Sequence, residues 1–193
     1  MTELEALCAE LICGEDARAE KAAGCLPKFG SAAQQAVRAL LNVSDADVRW
    51  WAIRALAGFE EPGDTISDFL TALEDESDEV RQAAAMAFCQ HPKLQAIPSL
   101  IRALSDVDLM TAKLASNALI LMGKAATPAL LDVLDSGTQT ARLEAVRALA
   151  EIKDPISIPG LMRALETDSA LMQYWAGLGL DKLGVGMLYF KPE

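Results

Sequence analysis

The stretch DADVRWWAIRALAGF, residues 45 to 59, decides the fold. It is one helix long, and its pattern recurs along the chain. Alanines of matching context fall at Ala22, Ala52, Ala84, Ala115, Ala145 and Ala176, in steps of 30, 32, 31, 30 and 31 residues. Four residues after each comes a large apolar residue: Leu26, Leu56, Phe88, Leu119, Leu149 and Leu180. Eleven before each stands a leucine: Leu11, Leu41, Leu73, Leu104, Leu134 and Leu165. A period near 31 with two apolar helical segments per unit predicts stacked helical hairpins, none of which buries its apolar face alone. The reading is an all-α, right-handed α-solenoid of about six hairpins, one domain over 1–183, with a capping unit at 1–30 and an apolar tail or cap at 184–193.

Local signals agree with the period. Asp45, Ser77, Asp108, Thr138 and Ser169 keep the same steps and are suited to cap the second helix of each pair. Pro98, Pro128 and Pro159 suit the opening turns of first helices. Gly30, Gly123 and Gly184 stand at equivalent places after second helices, as left-handed caps. Pro27 ends the helix that begins at Asp16 early. Cys25 aligns with Ala55, Ala87, Ala118 and Ala148 and reads as a small core residue.

Composition narrows function. The chain has 193 residues with a net charge of −11, which disfavours a phosphate-gripping surface and excludes nucleic acid. No run of about 18 uncharged apolar residues marks a membrane span, and the start, MTELEALCAE, carries acids where a secretory signal is basic, so a cytoplasmic location and no membrane are expected. Cys8, Cys13, Cys25 and Cys89 lack metal-ligand spacing and read as reduced thiols. The one histidine, His91, precedes Pro92 and supports no nucleophile–base pair. No catalytic residue, metal or cofactor is assigned. Between Arg54 and Arg81 no basic residue occurs, while Glu74, Asp75, Glu76, Asp78 and Glu79 form an acidic run that would dock a basic surface on a protein partner.

The motifs DVRWWAIRALAGF (47–59), EVRQAAAMAF (79–88), AIPSLIRALSD (96–106) and ARLEAVRALAEIKDPISIPGLMRAL (141–165) resemble the HEAT-repeat superfamily, in particular its short-period branch named after phycobilin lyase subunits. The resemblance implies that second helices line a concave surface. There the repeat aligns Trp51 with Trp175 and Trp50 with Tyr174, an aromatic pair in each of two units that would anchor a partner segment, with Arg54 beside the first. Arg49, Arg81 and Arg142 also align and are expected to bond carbonyls or neighbouring units. The implied function is a non-catalytic protein–protein scaffold or adaptor. The alternative is a bilin-handling, phycobilin lyase-like factor, the one enzyme reading retained.

Overall fold

The computed structural model describes residues 2–60, 65–167 and 169–185. The apolar tail beyond Val185, and Glu61 and Asp64 of the acidic stretch, lie outside the described residues. Inter-residue contacts divide the chain into two compact units, Met1–His91 and Pro92–Glu193, where the sequence reading has one domain. The boundary falls where Pro92, which has no amide donor, follows the helix that ends at Gln90.

The first unit contains α1 (Glu3–Leu11), α2 (Asp16–Cys25), α3 (Gly30–Ala39), α4 (Ala46–Leu56), α5 (Thr65–Ala72) and α6 (Asp78–Gln90). The second contains α7 (Ile97–Ala103), α8 (Leu109–Met122), α9 (Thr127–Ser136), α10 (Gln139–Ile152), α11 (Ile158–Leu165) and α12 (Ala170–Lys182). Each unit is thus three hairpins, and the fold is the all-α repeat fold that the period predicts. Second helices pack on second helices: α2 on α4 and α4 on α6 in one unit, α8 on α10 and α10 on α12 in the other.

The caps form where the repeat places them. Asp45 accepts from the Asp47 amide, Ser77 from Val80, Asp108 from Thr111, Thr138 from Ala141 and Ser169 from Met172. Each satisfies a donor that the first helical turn leaves unpaired. The aligned arginines tie each second helix to the chain entering it. Arg49 donates to the Val43 and Ser44 carbonyls, Arg81 to Asp75 and Glu76, and Arg142 to Leu134. Gln173, at the same repeat position, donates to the Thr167 carbonyl at 2.6 Å.

Of the three glycine caps, Gly184 fits the expectation, with φ of 78° and the Val185 amide bonded back to the Leu180 carbonyl, while the other two depart from it. Gly30 and Gly123 have positive φ but ψ of −138° and −142°, so they occupy the mirror of the extended region instead of the left-handed helix. Nothing lies within 4 Å of a Cβ built at either, so the requirement for glycine is conformational, not steric. Lys153, at the equivalent position after α10, adopts the left-handed helical conformation although it is not a glycine, at φ 57° and ψ 43°. Pro27 does shorten α2, which gives way to a 3-10 turn over Leu26–Phe29.

The six marker alanines and the six large residues that follow them are all buried. Of the preceding leucines, Leu41 and Leu165 are only half-buried. Leu41 lies in the 3-10 turn Leu40–Asn42, whose pitch swings its side chain off the helical face, and Leu165 is the last residue of α11. Cys25 is likewise half-buried instead of fully enclosed. The stretch Leu109–Ser136 is apolar enough by composition to cross a membrane, but the 3-10 turn Gly123–Ala126 breaks it into α8 and α9.

Small residues bring the helices of the second unit close. A Cβ at Gly179 of α12 would stand 3.0 Å from both Cα and Cβ of Ala150 and from Leu161 Cδ1. Backbone cannot move aside as a flexible side chain can, so Gly179→Val is expected to overpack this contact and cost about 1–3 kcal/mol. A urea midpoint equal to that of the parent would refute it.

Candidate functional site

On α2, Asp16, Ala17 and Glu20 share one face by three- and four-residue spacing, as Asp47, Trp50 and Arg54 do on α4. Because α2 and α4 pack together and α4 packs on α6, these residues and Glu79 border one opening. It is a cleft of about 500 Å³ lined by Asp16, Ala17, Glu20, Asp47, Trp50, Trp51 and Glu79. The two tryptophans meet edge to face, with centroids 4.7 Å apart and planes at 87°. Trp51 is 7% exposed and anchors the pair in the core, while Trp50 is half-buried. Part-exposed Trp50 thus lines the cleft together with four carboxylates.

The charges around it are unevenly compensated. Arg54 reaches across to α2 and binds Glu20 at 2.6 Å, so its charge is already engaged inside the chain. Glu79 accepts the Ser77 hydroxyl at 2.7 Å. The side chains of Asp16 and Asp47, both exposed, have no ion-pair partner among the described residues.

The acidic run separates into different roles. Asp75 faces inward and receives Nε and Nη2 of Arg49 at 2.9 and 2.7 Å, with the Arg49 side chain only 8% exposed. Burial pushes the Asp75 carboxyl up, but the Arg49 pairing, the Ser77 amide and the charge of Arg81 outweigh it and hold the group below the usual carboxylate range. Asp75 is therefore a structural ligand of Arg49 and is withdrawn from the surface patch. Glu74, Glu76, Asp78 and Glu79 are exposed, and of the run only Glu79 reaches the cleft.

The second aromatic pair lies on α12. Tyr174 is 62% exposed and meets half-buried Trp175 edge to face at 5.4 Å. Another cleft of the first unit, about 480 Å³, is lined by Arg38, Arg49, Asp68 and Asp75, whose charges pair with one another: Arg38 with Asp68, Arg49 with Asp75, each at 2.7 Å. It has little unspent charge to offer a ligand. His91 spends its Nε2 hydrogen on the Ala57 carbonyl at 2.8 Å, which fixes the ring at the end of α4. Burial raises the thiols of Cys8 and Cys89, which makes them less reactive.

Sequence reasoning located Trp50, Trp51, Arg54 and Glu79 but not Asp16, Glu20 and Asp47 as their companions. A signal existed. Glu20 holds the repeat position of Trp50, and Ala17, Asp47 and Glu79 hold one repeat position in three successive hairpins. Laying equivalent positions side by side assembles the cleft wall.

Comparison with known proteins places this architecture. The family model for HEAT repeats matches residues 66–139, and that for the PBS lyase HEAT-like repeat matches residues 141–167. Over these residues the chain carries HEAT-type repeats. The repeat at 141–167 is of the PBS lyase HEAT-like kind, and sequence relatives of the chain fall among bilin lyase subunits. It is 37% identical over 109 residues to the phycocyanobilin lyase subunit beta of Pseudanabaena tenuis, a match covering 56% of this chain and 39% of that protein. It is 40% identical over 87 residues to the bilin biosynthesis protein RpcF of a Synechococcus species, covering 45% and 42%. The chain thus matches about two-fifths of the length of these curated relatives. The structure of the complex of CpcE and CpcF of phycocyanin lyase from a Nostoc species aligns with a TM-score of 0.55 at 22% identity, over 95% of this chain and 78% of that one. A designed armadillo repeat protein in complex with the peptide (KR)4 aligns at 0.57 and 19%, over 94% and 100%. At such identities these likenesses speak to the fold.

Proposed function

We propose that this protein is a non-catalytic interaction module that holds a segment of another protein on the exposed faces of its second helices, with the Trp50 cleft as the main seat. The observation that carries this reading is the half-exposed Trp50, held by buried Trp51 in a cleft wide enough for side chains. A rigid aromatic with a buried neighbour is the kind of group on which binding energy concentrates. Preformed helices lose little ordering entropy on binding, and the exposed Glu74, Glu76 and Asp78 supply long-range attraction for a basic partner. Tyr174 offers a further exposed aromatic on α12. The reading takes the cytoplasm as the setting.

The test is affinity capture from the source cell's soluble extract, comparing the parent with a Trp50→Ala, Tyr174→Ala double variant by mass spectrometry. A defined protein depleted at least about tenfold with the variant is the expected result, in line with the loss of a central aromatic contact. Equal recovery by both baits would overturn the assignment of the site.

A second reading, bilin handling, is favoured by the 37–40% identity to lyase and bilin-biosynthesis proteins. Against it, the carboxylates of the Trp50 cleft would repel the propionate groups of a bilin. Titration with phycocyanobilin decides: a shifted, saturable visible band would support this reading, and a flat titration would remove it.

A further inference from the structure

We propose that the Trp50 cleft is an arginine-recognition site: the partner segment inserts a guanidinium that stacks on the Trp50 indole and is held by Asp47 and Asp16. The inference rests on the interaction reading above and names the chemistry of the partner. It draws on three properties of the cleft.

The first is the pairing of a part-exposed indole with acidic walls. A cation over a tryptophan ring is attracted by the ring quadrupole, and tryptophan is the best of the aromatic side chains for this contact. Asp16, Glu20, Asp47 and Glu79 surround that ring; Arg54 matches Glu20, while Asp16 and Asp47 have no ion-pair partner among the described residues. The cleft therefore has negative charge to spare.

The second is the spacing of those carboxylates. Asp16 and Glu20 come from α2, Asp47 from α4 and Glu79 from α6, and among the described residues no three His, Cys, Asp or Glu side chains converge as ligands of a metal ion do. Carboxylates spread around a cleft of about 500 Å³ fit a large, planar organic cation better than a bare ion.

The third is the occupied side of the same wall. Arg54 already bonds Glu20 at 2.6 Å across the α2–α4 seam, which demonstrates that a guanidinium is accommodated at this edge of the cleft. Arginine suits the remaining space better than lysine because its plane stacks on the indole while its edge donates two parallel hydrogen bonds to a carboxylate.

The experiment is calorimetric titration of the full chain with a short Gly/Ser peptide carrying arginines, and with the same peptide carrying citrulline, the neutral isostere, or lysine. The arginine peptide is expected to bind saturably, citrulline to weaken it about tenfold or more, and lysine to fall between them. Asp47→Asn, an exposed substitution that leaves the core intact, is expected to weaken the arginine peptide about fivefold, and added salt to weaken it further. Citrulline binding as well as arginine, or no saturable binding of the arginine peptide, would overturn the inference.

The two readings fail separately. A captured protein that depends on Trp50 but is indifferent to Asp47→Asn and to salt refutes arginine recognition and keeps the module. An arginine peptide that binds as expected, with no protein captured, supports the site while removing the module reading.

Discussion

Asp75→Ala is expected to destabilise the first unit by about 3 kcal/mol at neutral pH, although it alters a residue that the sequence shows as one acid in a run of them. The cost arises at Arg49. Its side chain is 8% exposed and distributes its donors over the Val43 and Ser44 carbonyls and both oxygens of Asp75. Removing the carboxylate leaves a buried guanidinium that cannot shed its proton, with two backbone carbonyls and the exposed Glu76 carboxylate, 3.5 Å away, as its remaining partners. Breaking one side of a buried pair typically costs about 3–5 kcal/mol. The low end applies because Asp75 itself keeps 15% of its exposure, so water reaches part of the vacated space. The loss extends to the loop before α6, since Asp75 Oδ1 also accepts the Ser77 amide. Asp75→Asn retains an acceptor and is expected to lose less.

The pH dependence follows from the direction of the Asp75 shift. Its carboxyl is held below the usual range in the folded chain, so the stabilisation is fully present above the unfolded value of about 3.9 and is lost as pH falls through the lower folded value. The difference between parent and Asp75→Asn should therefore be constant from neutrality down to about pH 5 and shrink below about pH 4. Urea titrations at neutral pH and near pH 3 measure it. A gap that stays the same at both would show that the charge of Asp75 is not what separates it from the amide.

The contrast between Asp75 and its neighbours shows where sequence reading stops. Apolar period, caps and first-turn prolines are local or nearest-neighbour properties, so the twelve α-helices of the described residues and the buried alanines were legible. The aligned arginines were legible too, because each serves carbonyls of the chain entering its helix, Arg49 and Arg81 at equivalent places and Arg142 a little further back at Leu134. Which acid of Glu74, Asp75 and Glu76 turns inward was not, since a one-residue rotation of the loop exchanges them and nothing in the run's composition marks the difference. The conformations after second helices were hidden for a related reason. Glycine at Gly30 and Gly123 announces positive φ but leaves ψ free, and Lys153 takes the left-handed position without any glycine to signal it. The cleft lay between these cases: Trp50, Trp51 and Arg54 stood out on α4, whereas Asp16, Glu20 and Asp47 became their companions only with the hairpins laid side by side.

Leu149→Ala is expected to cost about 4 kcal/mol, within the range of about 2–5 for truncating a buried leucine. Leu149 is fully buried on α10, the middle second helix of its unit. That helix packs against α8, α9, α11 and α12, so the space left by the side chain is walled on several sides. Partial collapse is what lowers the cost of such truncations, and here it is opposed by the small residues that already hold the helices in near contact. Ala145 and Ala148 are fully buried on the same helix, and Gly179 of α12 sits against Ala150 with no room for a Cβ. Backbones that touch cannot close further to fill a neighbouring void. Leu41→Ala supplies the control, because Leu41 holds a repeat position of its own yet is half-buried, and its loss should cost about 1 kcal/mol from the smaller area returned to water. Denaturant titrations of the two variants rank them directly. Equal costs would mean that the repeat position, and not enclosure, sets the contribution of these leucines, and the account of the core given by α10 and its neighbours would fall.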